Sequence, residues 1–271
     1  DEIHLDITHQ PQTLYHQPRQ LRVDPWLGPA IYANPILLHD SQHWFEFASA
    51  SVRSQFLRPD YVLERARHFA GPARTAWLDL RDREAGGTSP VDLLSEYLQA
   101  VENAANAVAS LSGPPLSLRR LLLEFPQKAQ AVGNPALYGQ LLHLVGGGLV
   151  DADGARAWLP AWGEAFDAAC HLPTVSPRLH PLRKLYYERA FDSLLGGETP
   201  QAALLPLLIT WTSSLEALHG APSYLTPWME ACQQLHLHPE ERETSLCALD
   251  EFLDSVEELL DRWAQENGIG L

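Results

Sequence analysis

The sequence predicts a mainly α fold, a helical bundle over residues 41–271 with a division near 86–89, preceded by a strand and an irregular segment over 1–40. Three observations predict it. Prolines at 11, 18, 25, 29 and 35 interrupt the first stretch and disfavour a regular helix there. Beyond Asp40 the apolar residues recur at helical spacing. The breaks between those periodic runs carry cap and stop residues: Ser89-Pro90, Thr199-Pro200 and His238-Pro239 as starts, and Gly146 to Gly148, Gly196-Gly197 and Gly220 as stops.

In chain order, Glu2, His4 and Asp6 alternate with Ile3, Leu5 and Ile7, the period of a strand. Ser41 is read as the cap of a helix reaching about Leu57, and Pro59 starts another that Gly71 and Pro72 would kink or divide before Arg81. Ser89 with Pro90 launches the longest clean helix of the first half, which stops at Gly113-Pro114-Pro115. Further helices are expected at 117–131, 135–145, 152–171, 178–195, 200–218, 224–236 and 239–266. Short links between many helices indicate a bundle. The opening in a strand pattern without an initiating Met predicts a piece of a longer protein.

With 271 residues, 45% apolar and 20% charged, the chain is long and apolar enough to build a real core. Lys and Arg number 19 against 34 Asp and Glu, and a net charge of −15 disfavours nonspecific nucleic-acid binding. Cys170, Cys232 and Cys247 are odd in number and widely spaced, which argues against a disulfide framework. No apolar run reaches roughly 18 residues, so no membrane span is expected, and a reducing cytoplasm is the expected location.

Several residues could carry chemistry. Asp6 shares a strand face with Glu2 and His4, the way a sheet edge gathers oxygen ligands for a divalent metal; an exposed strand face is the alternative. Arg53, Arg58, Arg65 and Arg67, and separately Arg119 with Arg120, are basic patches in an acidic chain through which a phosphate-bearing ligand would approach. Pairing with Asp60, Glu64, Asp79 and Glu124 is the competing reading. The histidines at 4, 9, 16, 39 and 43 and the set Cys232, His236 and His238 lack the spacing of a zinc site. Asp151-Ala152-Asp153-Gly154 resembles the start of a calcium loop, but Trp162 stands where the loop needs Glu, so a helix cap is expected. Trp158, Trp162, Tyr186 and Tyr187 could line a ligand pocket, although their spacing is that of packing. Hydrolase-elbow, P-loop and Rossmann motifs are missing.

Three stretches carry a resemblance: Asp24 to Tyr32 followed by Ile36 to Asp40; Arg53 to Val62; and Glu96 to Gly113 with its alanine-rich centre. Together with the Leu-rich remainder they resemble nucleotidyltransferases of the kanamycin and aminoglycoside type, in the DNA polymerase β-like superfamily. The resemblance covers most of the chain but lacks that family's Gly-Ser and Asp-x-Asp palm motif. It implies that residues 1–40 are a short remnant of an α/β palm and that Asp6 is the third metal carboxylate. It further implies Mg2+ and an NTP as cofactors, a hydroxyl acceptor, and Arg53, Arg58 and Arg119 as nucleotide contacts. In such enzymes two metal ions stabilise the attacking and leaving oxygens, and the helical domain can offer a carboxylate base. Glu96 and Glu102 are the candidates, with Glu102 preferred and a solvated helix face as the alternative. A homodimer, or a partner chain supplying a palm, is the implied assembly. The competing function is a noncatalytic helical interaction or ligand-binding module.

Overall fold

The computed structural model describes residues 7–83, 88–173 and 176–270. The protein is mainly helical, with no strand among these residues. The expected strand falls almost entirely on residues 1–6, outside the described ones.

A long helix, α5 (Pro90–Leu111), forms the spine. Ser89 caps it, its hydroxyl accepting from the Val91 N–H at 3.2 Å. Ala100, Val101, Ala104, Ala105, Ala107, Val108 and Ala109 are all sealed from solvent. A helix buried on nearly all sides over its second half belongs inside a protein, and its small side chains let neighbours approach closely. Around it pack α4 (Pro59–Asp82), α6 (Leu121–Ala131), α7 (Ala136–Leu144), α10 (Leu204–Ala217) and α12 (Arg242–Glu266). In a second layer, α8 (Ala152–Ala169) and α11 (Pro222–Gln234) pack on the outer side of α10, and α9 (Arg183–Leu195) packs on α8. The calcium-like run is a cap, as expected: the Asp151 carboxylate accepts from Gly154 N at 2.8 Å at the start of α8. Trp158, Trp162 and Tyr187 are buried core residues rather than pocket lining. The Trp162 and Trp228 indoles donate to Thr210 and Thr212 of α10 at 2.9 and 3.1 Å, so these two are buried with their N–H groups satisfied, whereas the Trp211 N–H is buried without a partner.

Three expectations need correction. Gly71 and Pro72 do not divide α4, which runs unbroken through both. Both residues face solvent while Phe69, Ala70, Ala73 and Trp77 are buried, so packing on either side outweighs the roughly 3 kcal/mol of a mid-helix proline. The proline-rich stretch also contains two short helices, α1 (Pro18–Val23) and α2 (Leu27–Tyr32), while the helix expected after Asp40 is α3 (Trp44–Arg53). Pro18 and Pro29 sit in first turns, where the missing N–H has no intrahelical partner to lose. Asp40, not Ser41, caps α3, its carboxylate accepting from Phe45 and Glu46 N–H at 3.0 and 3.2 Å.

These three helices form a cap with its own small core, Leu21, Ile31, Val52 and Phe56. Gly28 permits the crossing of α2 over α1: a Cβ there would stand 2.5 Å from the Leu21 carbonyl. Arg65 of α4, only 3% exposed, pins the cap from below. Its guanidinium lies 3.8 Å from the Phe56 ring centre and donates to the Arg22 and Phe56 carbonyls at 2.5 and 3.1 Å. Burial lowers its pKa to about 10, so it remains charged at neutral pH. Arg22 in turn donates to the Ser51 carbonyl at 2.6 Å and to Gln55 Oε1 at 2.8 Å.

Candidate functional site

Ser95, Gln99, Glu102 and Asn106 stand at helical spacing on α5 and therefore line one face of an otherwise apolar helix. Opposite them, α10 presents Thr212, Ser213 and Glu216. Between the two helices lies a cavity of about 320 Å³. Its side is closed by Ser176 and Arg178 at a 3-10 turn (Pro177–Leu179), and its rim by Trp26 of the cap, which meets Phe69 edge to face at 5.9 Å. The cavity thus sits where the cap meets the bundle.

Glu102 is 8% exposed, so the solvated-face reading is overturned. One Arg178 nitrogen donates to both of its carboxylate oxygens, at 3.2 and 3.1 Å. A buried carboxylate without such a cation would carry a large desolvation cost. Glu216 is held differently. Burial raises its pKa above the usual 4.5, opposed by a hydrogen bond with Ser95 and reinforced by Asp92 and Glu96. Asn106 is spent structurally, its Oδ1 accepting from Leu116 N at 2.6 Å to fix the chain leaving α5. The remaining amides, hydroxyls and carboxylates offer donors and acceptors on several sides, a lining suited to a polar, hydroxyl-bearing small molecule.

The other sequence candidates lie elsewhere. Arg53 donates to the Ile31 carbonyl at 3.4 Å within the cap. Arg58 makes a two-pronged pair with Asp60, at 3.0 and 2.8 Å, and Glu96 pairs with Arg83 at 2.8 Å. Arg119 lines a separate groove with Arg120, Tyr186 and Arg189. None of these three arginine candidates lines the Glu102 cavity. Asp6 lies outside the described residues. Among the described residues no three His, Cys, Asp or Glu side chains are grouped to hold a metal ion, so these residues alone do not fit the two-ion site that the resemblance implies. Cys232 is buried, which raises its thiol pKa, and His236 pairs with Glu241.

Sequence reasoning missed Arg178 and Glu216. A polar stripe at 3.6-residue spacing within an alanine-rich helix was a usable signal for the α5 wall. Arg178 left no such trace, because its partner is 76 residues away and it stands on a short turn.

No helix among the described residues is long and apolar enough to cross a membrane. No protein-family model, curated protein or solved structure matches the chain.

Proposed function

We propose that this protein binds a small hydroxylated molecule in the cavity between α5 and α10, as the acceptor-holding part of a nucleotidyltransferase. One observation carries the reading: Glu102, singled out through the family resemblance, is buried at a polar cavity wall and gripped by Arg178. In this role Arg178 fixes the carboxylate, which accepts a hydrogen bond from the ligand hydroxyl and is placed to take its proton. Trp26 offers an apolar face to the rim. The Mg2+ ions of such a reaction would need ligands beyond those grouped among the described residues.

The second reading, a ligand-binding module without transfer, needs only the polar lining of this cavity. Calorimetry against sugars, polyols and aminocyclitols, paired with a Mg2+-dependent assay of labelled nucleotide transfer from ATP, separates the two. Binding weakened at least about tenfold by Glu102→Gln or Arg178→Ala is expected. Transfer to the bound compound supports the transferase, and binding without transfer supports the module. Binding indifferent to both substitutions, or no binding across the panel, contradicts the cavity assignment.

A further inference from the structure

The groove between the start of α6 and the outer face of α9 is a second polar site, and its chemistry is opposite to that of the Glu102 cavity. It measures about 390 Å³ and is lined by Arg119, Arg120, Glu124, Tyr186, Arg189 and Ser193, with no residue in common with the first site. Three guanidiniums converge there in a chain of net charge −15. Glu124 engages Arg120 at 2.5 Å. Arg119 is occupied instead by an aromatic ring, its guanidinium 4.8 Å from the Tyr186 centroid, and Arg189 is exposed. Neither Arg119 nor Arg189 makes an ion pair with a described carboxylate.

Stacking on a ring orients a guanidinium while leaving its N–H edge open, and two such edges match the oxygens of a phosphate. Isolated arginines on an acidic surface would ordinarily be drawn to the surplus carboxylates. Here two face a cavity rather than an acid.

We infer that this groove binds the phosphate of a small phosphomonoester, through Arg119 and Arg189, with the Ser193 hydroxyl as a further donor. Glu124 competes with the ligand for Arg120. The net negative charge opposes an anionic membrane surface as the source of the phosphate. This inference is independent of the acceptor reading, because the two linings do not overlap.

The test is calorimetric titration of the purified chain with inorganic phosphate and with glycerol 3-phosphate, each against sodium chloride at matched ionic strength. Saturable binding is expected for both. Arg119→Ala with Arg189→Ala should weaken it at least about tenfold, whereas the charge-matched exposed pair Arg19→Ala with Arg262→Ala should leave it unchanged. Glu124→Gln should tighten it several-fold by releasing Arg120, and Arg178→Ala should have no effect. Equal loss from the two double variants, or a response that chloride reproduces, would overturn the inference. Loss on Arg178→Ala would instead move the phosphate to the Glu102 cavity and overturn it as well.

Discussion

The cap and the bundle are held together by different physics. The bundle interior is a continuous apolar cluster running from Val62 to Ala264, with Trp162, Phe166, Phe191 and Trp211 sealed inside it. The cap's core cluster is only four residues, Leu21, Ile31, Val52 and Phe56, and beyond it the cap relies on Arg65 and Arg22 donating to backbone carbonyls and on aromatic contacts such as the Tyr32 ring stacked 4.5 Å from Phe56. Hydrophobic burial scales with area, whereas a hydrogen bond contributes about 1 kcal/mol net and can be lost one at a time. The cap is therefore the region that opens at lower free energy, and it carries Trp26 at the rim of the polar cavity.

Substitutions can sharpen or break this contrast. The largest effect is expected in the bundle: Phe166→Ala, at a site with no exposure beside Trp162 and Tyr187, should cost about 3–5 kcal/mol in urea unfolding. A cost below about 1 kcal/mol would mean that this core is loosely packed.

In the cap, Arg65→Met leaves the Arg22 and Phe56 carbonyls without their donor and should cost about 1–3 kcal/mol locally. Limited proteolysis should then cleave within 18–58 first, with α8 to α10 still protected. Uniform susceptibility along the chain would break the contrast. Gly28→Ala forces the Leu21 carbonyl aside and should shift Trp26 fluorescence, at a cost of about 1–3 kcal/mol.

The smallest effect is a pH dependence at the cavity. Burial raises the Glu216 pKa, so the native state keeps a proton that the unfolded chain has released. Stability from this group is present at low pH and falls as pH rises from about 4.5 through the folded-state value. Glu216→Gln should match the wild type near pH 4 and exceed it increasingly toward pH 7, as read by unfolding midpoints. A variant that loses stability as pH rises, relative to the wild type, would show that the carboxylate is stabilised rather than strained by its surroundings.

How far these features were legible in the sequence follows from their range. Ser89 and Asp151 announced helix starts because a cap acts on N–H groups two or three residues away. The bundle helices were readable from periodicity for the same local reason. Helices α1 and α2 of the cap were obscured because proline is a breaker in mid-helix and a starter in the first turn, and only the structure places Pro18 and Pro29 in first turns. The unbroken α4 was misread because its continuity is decided by packing on α5, not by Gly71 and Pro72 themselves. Glu102 could be singled out, but its burial and its pairing with Arg178 depend on contacts distant in sequence.

Native-state hydrogen exchange across a urea series tests the central contrast most directly. The amides of α1, α2 and α3 should exchange through a local opening that depends weakly on urea, below the global unfolding free energy, while those at the centre of α5 and α10 exchange only with global unfolding. A single common free energy for both regions would contradict the account, because the cap could then open only when the whole bundle does.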